Sequence, residues 1–537
     1  MKKHFRWLTA AFAVTLTAFL IFSDKFSNKI ESENEVPGTE EKESGADRQL
    51  SMWFQSRAYP DPENLDSKYQ KAWEQFQSFR SNRAVAGPLP VATANWTGIG
   101  PDVSIGGRIL CIAIDPSNSS NLWAGSASGG IWKSTNAGSS WRPVVTNLPL
   151  LGVSSILVHP TNPQVLYAGT GEVYRVDTSN VGFNVWKTRG TYGIGIIKST
   201  DGGITWSQVL TKNSSDMFAI QMLEFDPVNP NTVYACATDG LYRSADQGLT
   251  WSKILNKKYV TDVAINPTNT SQMVVGVGNM INSDKGIYRT INGSAAAPTW
   301  TKITSGLPAS FRGFIRLDNV GSTRLVASIG RDDVSSQQEI YMSTNFGTSW
   351  IAKTNSHHCQ YQYWFAHDVA INPSNLNQFV MGGVPLYRYT SSSTTAASGT
   401  RTSIGTNVHS DIHDVEFDPR NSSIIYVASD GGIYKSINGG SSFASANTGL
   451  AATQFYASFS THPTNPNLYI GGLQDNGVVR YNGTSWSTAF GGDGGPTAIS
   501  PNGNTVFASN DARKVNRSTT GITGGCCCII IMGLQCR

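Results

Sequence analysis

The sequence predicts an all-β fold, a β-propeller of four-stranded blades, and three observations predict it. An octapeptide of the form S-x-D-x-G-x-T-W recurs along the chain, and a Pro/Asn turn such as "FDPVNP" recurs with it at a similar spacing. Each Pro/Asn turn is followed by a short β-rich run such as "TVYACA". Short β-rich runs bounded by Gly, Pro, Asn and Asp are typical of antiparallel strands, and four strands in about 45 residues make one propeller blade.

The octapeptide turn is clearest in "STDGGITW" at 199–206. An Asp or Asn side chain can bond its own backbone two residues on, and Gly supplies the positive φ that a tight hairpin needs. The Trp that follows can be buried between neighbouring sheets. A residue repeated in every blade is not the unique nucleophile of one active site, so we interpret these positions as structural. At the Asp or Asn position of this turn the sequence has Asn136, Asp201, Asp246, Asn292, Asn345 and Asn438.

The propeller is expected to span residues 96–523, with eight readable units and a ninth that is partial. Two arrangements remain open at this point. The blades form one large ring, or they form a seven-bladed ring plus part of a second.

The flanking segments differ from the repeats in composition. Residues 1–23 combine a basic start with an apolar stretch from Trp7 to Phe22, which is typical of a signal peptide, with an uncleaved anchor as the alternative. Residues 24–95 read as a solvated linker followed by a short helical segment. We therefore expect a secreted or cell-surface protein, with no membrane contact beyond an N-terminal anchor.

The last residues, 524–537, form an aberrant Cys-rich tail, "GGCCCIIIMGLQCR", without the turn and strand pattern of the repeats. A frameshift or truncation would explain it, and a genuine palmitoylated or metal-binding tail is the alternative. The other cysteines, Cys111, Cys236 and Cys359, are too few for a disulfide framework. The net charge of +4 comes without a concentrated basic stripe, which excludes nucleic acid from the expected partners.

Three polar clusters depart from the repeat pattern. In the first, "VHSDIHDVEFDP", His409, Asp411 and His413 alternate, so on a strand they would share one face. The innermost strand of a blade lines the central channel, which makes that face a candidate ligand site. A metal ion could be held there, and a hydrogen-bonded inner-strand network is the alternative.

The second cluster is the Gly-flanked loop "SDGG", and the third combines the Gly-flanked loops "QDNG" and "GGDGG". Gly lets backbone approach a ligand closely, and gathered carboxylates suit hydroxyl-rich sugars or a Ca²⁺ ion. Turn capping by Asp and Asn is the alternative. Apart from Ca²⁺ no cofactor is predicted. The candidate ligand-binding residues in these loops are Asp430, Asp475, Asn476 and Asp493, and the three aspartates are also the candidate catalytic residues.

Two further stretches are interpreted as scaffold. In "SHHCQ" the neighbours His357, His358 and Cys359 could not all point to one ion from a strand, which favours a polar loop between blades. The following "YQYWF", 361–365, could be a platform for sugar stacking, and blade core is the favoured interpretation.

The octapeptides resemble the Asp-box, or BNR, repeats of sialidases, sortilin-type receptors and xyloglucanase-like glycoside hydrolases. The longer passages "VHSDIHDVEFDP", "GGLQDNG" and "WTGIGPDVSIGGRILCIAIDP" are similar to a family of secreted bacterial sortilin-type or BNR-repeat proteins. Members are often named glycosyl hydrolases by similarity. The resemblance implies a propeller fold and export.

The expected function is an exported propeller that binds a polysaccharide or an extracellular protein. The alternative is a glycoside hydrolase of xyloglucanase-like type, which needs two carboxylates flanking the sugar bond. By resemblance, Asp430 matches one of that family's aspartates, while Ala127 in "GSASGG" holds the place of the other. A sialidase is less favoured, because "FRGFIR" only faintly resembles that family's Phe-Arg-Ile-Pro motif.

Overall fold

The computed structural model describes residues 68, 71–78, 100, 105–177, 184–186, 191–213, 217–280, 282–331, 338–510, 514–522 and 528–530. Residues 71–78 are helical, within the segment predicted to contain a short helix. The predicted signal segment and most of the predicted linker lie outside the described residues. Among the residues that are described, no helix is long and apolar enough to cross a bilayer.

The described chain forms nine four-stranded antiparallel sheets, the blades of a propeller. Blade 1 contains β1 (Ile109–Ile114), β2 (Leu122–Ser126), β3 (Ile131–Ser134) and β4 (Arg142–Pro143). Blade 2 contains β5 (Val153–Val158), β6 (Leu166–Thr170), β9 (Gly195–Ser199) and β10 (Ser207–Thr211), and the hairpin β7 (Arg175–Asp177) and β8 (Asn184–Trp186) is inserted in it. Blade 3 contains β11 (Ile220–Phe225), β12 (Val233–Ala237), β13 (Gly240–Ser244) and β14 (Ser252–Leu255).

The next three blades repeat this pattern without insertion. Blade 4 contains β15 (Val260–Ile265), β16 (Met273–Val277), β17 (Gly286–Thr290) and β18 (Thr301–Ile303). Blade 5 contains β19 (Ile315–Val320), β20 (Arg324–Ile329), β21 (Ile340–Ser343) and β22 (Ile351–Ala352). A 3-10 turn, Gln360–Gln362, precedes blade 6, which contains β23 (Asp368–Ile371), β24 (Gln378–Gly382), β25 (Leu386–Ser391) and β26 (Gly399–Ser403).

The last three blades include the candidate loops. Blade 7 contains β27 (Ile412–Asp418), β28 (Asn421–Ser429), β29 (Gly432–Ser436) and β30 (Ala444–Ser445). Blade 8 contains β31 (Phe455–Thr461), β32 (Tyr469–Leu473), β33 (Gly477–Tyr481) and β34 (Trp486–Phe490). Blade 9 contains β35 (Gly494–Ile499), β36 (Val506–Asn510), β37 (Lys514–Ser518) and β38 (Cys528–Ile530). Part of the tail predicted to lack strand character therefore pairs as the fourth strand of blade 9, while 531–537 lie outside the described residues.

The first seven blades close into a ring. Asp414 of blade 7 accepts a hydrogen bond from the backbone amide of Ile112 in blade 1, at 2.6 Å. The indole Nε1 of Trp141 in blade 1 donates to the carbonyl of Ala446 in blade 7, at 2.8 Å. Apolar side chains of the two blades share one buried core. Of the two arrangements left open by the sequence, the structure has the seven-bladed ring, followed by two blades of a second set.

Buried carboxylates on the inner strands join consecutive blades around this ring. In each case an aspartate on the inner strand of one blade accepts a hydrogen bond from a backbone amide of the next inner strand. The pairs are Asp262 with Leu317, Asp318 with Ile371, Asp368 with Val415 and Asp414 with Ile112. Burial raises the pKa of Asp262, Asp318 and Asp414 to about 6. These backbone hydrogen bonds favour the ionised carboxylates, while burial favours their protonated form and has the larger effect on the pKa.

The octapeptide turns share an internal hydrogen bond from a backbone amide to the Asp or Asn side chain. In the turn of blade 7, Asn438 Oδ1 accepts from the amide of Ser442 at 2.9 Å, and the Ser436 hydroxyl bonds the amide of Gly440. The same side-chain oxygen accepts from the amide near the end of the turn at the other five positions. Those residues are Asn136, Asp201, Asp246, Asn292 and Asn345. Turn hydrogen bonds therefore account for the recurrence of this residue type.

Candidate functional site

The candidate site lies where blade 7 meets blade 8, and His409, Asp411 and His413 reach it by a route that the sequence did not predict. Strand β27 begins at Ile412, so His409 and Asp411 precede it, and Asp411 has a left-handed φ of 64°. The strand also has a bulge between Ile412 and Asp414. Strict alternation therefore fails, and the prediction that the three residues share one strand face was wrong.

His413 is the one of the three that lies on the inner strand. Its Nε2 lies 2.6 Å from Asp430 Oδ1, and both side chains are buried. Burial, together with the nearby Arg108 cation, lowers the pKa of His413 to about 3. The imidazole is therefore neutral near pH 7 and donates its Nε2–H to the Asp430 carboxylate.

The buried cation next to this pair is Arg108. Its guanidinium lies 3.0 Å from Glu172 Oε1 and 3.9 Å from Asp430 Oδ2, and all three side chains are almost fully buried. Tyr174 donates its hydroxyl to Glu172. Burial raises the pKa of Glu172, and the opposing effect of Arg108 does not cancel this rise. A buried arginine thus holds carboxylates from blade 2 and blade 7 together.

Three carboxylates converge above the arginine. One oxygen from each of Asp411, Asp430 and Asp475 lies within 4.8 Å of the others. Asp411 and Asp430 are buried, while Asp475 is half-buried. Carboxylates at this spacing can accept hydrogen bonds from sugar hydroxyls, and oxygen ligands of this kind are those that Ca²⁺ takes. The calcium site stays a prediction from the sequence.

The loops that carry the cluster are fixed to one another by hydrogen bonds. Asn476 Nδ2 donates to the carbonyl of Asp430 at 2.9 Å, and His409 Nε2 lies 3.0 Å from the carbonyl of Asp475. The amide of Asp475 donates to Asp493 Oδ1 at 2.8 Å. The structure therefore brings together all seven residues that the sequence singled out as candidate ligand-binding residues. We call this set, with Arg108 and Glu172, the blade 7–8 junction.

Glycine is required in the "SDGG" loop because the loops approach closely. A Cβ on Gly431 would lie 2.5 Å from the ring of His409. Gly432 has a φ of +106°, and a Cβ there would meet the Asn447 amide group. Any side chain at these two positions would push the loop of Asp430 away from the neighbouring loops.

An aromatic cluster packs against His413 and Arg108 of the junction. Phe365 lies edge-on to the His413 ring with centroids 5.0 Å apart, and the Arg108 guanidinium is 5.5 Å from the Phe365 ring centre. Tyr174 packs against both Phe365 and Trp364. Tyr363, Trp364 and Phe365 are buried, so most of the "YQYWF" stretch is core, and Tyr361 alone among its aromatic residues is exposed.

The sequence analysis missed Arg108, Glu172 and Tyr174. A usable signal existed for Glu172, because it lies two residues after the second strand of blade 2, close to the place that Asp430 takes directly after the second strand of blade 7. Ala127 holds that place in blade 1, where it is buried and its amide donates to the carbonyl of Arg108 at 3.1 Å. Arg108 precedes the first strand and falls outside the repeat, so nothing in the repeat pattern marked it.

Comparisons with known proteins place the fold. No family model and no curated protein matches the chain. Among solved structures it is similar to an ancestral GH74 enzyme, with a TM-score of 0.53, 19% identity, and coverage of 81% of this chain and 61% of that one. The chain thus spans less than two thirds of that enzyme. It is also similar to the Niastella koreensis GH74 enzyme, with a TM-score of 0.38, 17% identity, and coverage of 79% of this chain and 84% of that one.

A third similar structure is YCF48 from Cyanidioschyzon merolae, with a TM-score of 0.39, 16% identity, and coverage of 64% of this chain and 98% of that one. At these identities the likeness to the ancestral GH74 enzyme concerns the fold. This chain has a multi-blade β-propeller fold.

Proposed function

We propose that the chain is an exported propeller protein that binds a polysaccharide at the blade 7–8 junction. The observation that carries this proposal is the convergence of Asp411, Asp430 and Asp475 on one point from three loops. Asp411 and Asp430 are held in position by packing and hydrogen bonds. A site that is preorganised in this way binds without the cost of ordering its loops.

The polysaccharide is favoured over an extracellular protein as the ligand. Planar carboxylates accept pairs of hydrogen bonds, and adjacent sugar hydroxyls supply donors at a matching spacing. The propeller fold shared with an ancestral GH74 enzyme and the sequence resemblance to sortilin-type and BNR-repeat proteins support the same ligand class. Both supports concern fold and analogy, so the junction carboxylates remain the central argument.

A glycoside hydrolase is the second candidate, and the same fold likeness favours it. Hydrolysis of a glycosidic bond uses two carboxyl groups about 5–5.5 Å apart for retention, or about 6.5–9.5 Å for inversion. One oxygen of each junction carboxylate lies within 4.8 Å of the others, which is compatible with the retaining separation, but Asp430 is engaged by His413 and Arg108. Ala127 supplies no carboxylate from blade 1. These features favour binding over hydrolysis.

The experiment is a polysaccharide panel, xyloglucan included, run on one preparation for both retained binding and release of reducing ends. We expect binding without release for the wild-type chain, and a loss of binding of tenfold or more in Asp475→Asn. The matched control is Asp239→Asn, because Asp239 follows the second strand of blade 3 and pairs with Lys253 away from the junction.

Each outcome decides between the candidates. Release of reducing ends that disappears in Asp475→Asn would replace the binding proposal with the hydrolase. Binding that survives in Asp475→Asn, or that fails equally in Asp239→Asn, would remove the junction as the site. A further titration with EDTA and added CaCl₂ tests whether Ca²⁺ contributes to retention.

A further inference from the structure

A second cluster of chemically reactive side chains lies apart from the blade 7–8 junction, in the link between blades 5 and 6. It consists of His358, Cys359 and His367, and all three are fully buried. One ring nitrogen of each histidine and the cysteine Sγ lie within 4.8 Å of one another. Sγ of Cys359 is 3.7 Å from Nε2 of His358.

The backbone explains how neighbouring residues can face one point here. Residue 359 lies at the start of the 3-10 turn Gln360–Gln362, with φ −71° and ψ −30°, so it is not in a strand. His357 points elsewhere, with Nδ1 3.0 Å from Glu339 Oε1. The interpretation that these neighbours could not share one ion assumed a strand, and it does not apply to His358 and Cys359. They also lie in the predicted inter-blade loop, but in its buried part.

The outer nitrogen of His358 faces hydrogen-bond acceptors. Nδ1 of His358 lies 2.9 Å from the carbonyl of Ser356 and 3.3 Å from Glu339 Oε2. A ring nitrogen between two acceptors carries the proton, which leaves a lone pair on Nε2. That lone pair points towards the cluster.

His367 presents its other ring nitrogen to the cluster. Its Nδ1 lies 2.9 Å from the Ser328 hydroxyl, while its buried Nε2 has no hydrogen-bond partner among the described residues. With the proton on Nε2, the lone pair of Nδ1 faces the cluster, as a metal ligand requires.

Two imidazole lone pairs and one sulfur thus converge on a single hydroxyl. Ser328 Oγ lies 3.0 Å from His358 Nε2 and 2.9 Å from His367 Nδ1, yet it has only one proton to donate. The other lone pair meets only the weak donor of the Cys359 thiol. A divalent cation would satisfy all three groups at once.

The dimensions and the surrounding groups suit zinc. Zn–N bonds of about 2.0–2.1 Å and a Zn–S bond of about 2.3 Å place tetrahedral N and S ligands about 3.6 Å apart, close to the Sγ to Nε2 separation. Metal-bound histidines usually donate their outer N–H to a carboxylate or a backbone carbonyl, as His358 does to Glu339 and Ser356.

We propose that His358, Cys359 and His367 bind one zinc ion, with Glu339 positioning His358. Binding releases the thiol proton of Cys359 to solvent, because the thiolate is the metal ligand. The fourth position falls to the Ser328 hydroxyl or to a water molecule. The ion would fix the segment that continues to Phe365, and this residue packs against His413 and Arg108. The site is structural and independent of the polysaccharide proposal.

The test uses the untagged full chain, stripped with a chelator and then titrated with ZnCl₂ or CoCl₂. We expect one metal ion per chain by elemental analysis, a rise in melting temperature with zinc, and a thiolate-to-cobalt charge-transfer band. Cys359→Ser is expected to lose the band and at least tenfold in zinc affinity. The matched control is Cys236→Ser, another fully buried free thiol, which lies in blade 3 and should retain both.

Two results would overturn the proposal. The first is stoichiometric cobalt binding by the wild-type chain without a thiolate band, or no metal binding at all. The second is equal zinc affinity in Cys359→Ser and Cys236→Ser. The cobalt spectra are recorded in a background in which the tail residues Cys526, Cys527, Cys528 and Cys536 are replaced by Ser, so that a thiolate band reports on the buried thiols even if the Cys359 variant fails to fold.

Discussion

The octapeptide turns and the blade 7–8 junction both contain Asp and Asn beside Gly, yet they use these residues differently. In a turn such as that of Asp201, the carboxylate is satisfied by its own loop, through the amide and hydroxyl of Thr205 and the hydroxyl of Ser199. These donors lower the pKa of Asp201 to about 2. At the junction, the Asp430 carboxylate instead meets His413 and Arg108. The Asp475 carboxylate accepts from the neighbouring Gln474 side chain, but it also lies within 4.8 Å of Asp411 and Asp430, and the Asp475 backbone bonds His409 and Asp493.

This difference teaches where function can be sought in a repeat protein. A polar residue that closes its own turn contributes to one blade, and the same need recurs in each blade. A polar residue that meets distant loops is needed only where those loops meet. We therefore expect substitutions in the turns to change stability. Substitution of the half-buried junction carboxylate of Asp475 should instead change binding.

The largest expected effect concerns the buried ion pair beneath the junction. Arg108→Met should lower the free energy of unfolding by about 3–5 kcal/mol, because it leaves the buried Glu172 carboxylate without its cation. Denaturant unfolding measures the loss. The double variant Arg108→Met with Glu172→Gln should recover at least half of it, and a double variant no more stable than the single one would contradict this account.

The next largest effect is the contribution of His413 to the pH dependence of the free energy of unfolding. Its pKa in the folded protein is about 3, below the unfolded value of about 6.5, so the folded state binds fewer protons. The stabilising contribution is present above pH 6.5 and is lost as the pH falls, by about 2 kcal/mol between pH 6.5 and pH 5.

The inner-strand carboxylates change the stability with pH in the opposite direction to His413, which is why a control variant is needed. The raised pKa of Asp262 and Asp318 means that their contribution grows as the pH falls from above 6 towards 4. His413→Gln keeps a donor for Asp430 but does not titrate. The difference in unfolding free energy between wild type and His413→Gln should therefore shrink on acidification, and a difference that is constant with pH would show that His413 is not neutral and buried.

The smallest expected effect belongs to a single turn. Asn438→Ala removes the acceptor for the Ser442 amide in blade 7 and should cost about 1 kcal/mol in thermal or denaturant unfolding. Asn438→Asp keeps the acceptor and should cost less. A loss as large as that of Arg108→Met would mean that the turn does more than close its own hairpin.

The sequence was sufficient to predict the secondary structure of the repeated blades. Four strands per blade follow from turn residues and β-rich runs, and each of these is a local signal. Closure of the ring after blade 7 depends on contacts such as Asp414 with Ile112, which are far apart in sequence and leave no local trace. A period can show how many blades there are, but it does not show which two meet.

The candidate site was predictable in its members and not in its geometry. Departure from the repeat singled out Asp430, Asp475 and Asp493, and the structure places them together. The left-handed φ of Asp411 overrode the strand alternation assumed for it. Arg108 precedes the repeats, and a buried cation of that kind can be recognised only from the carboxylates packed around it.

The most direct test of the central claim measures polysaccharide retention and melting temperature together in Asp475→Asn and Asn438→Ala. The account predicts that Asp475→Asn loses at least tenfold in affinity and keeps its melting temperature. The side chain at position 475 is half-buried, and the backbone amide still donates to Asp493. Asn438→Ala should keep its affinity and lose melting temperature. Loss of both properties in both variants, or retained binding in Asp475→Asn, would contradict the division between turns that fold the protein and a junction that binds.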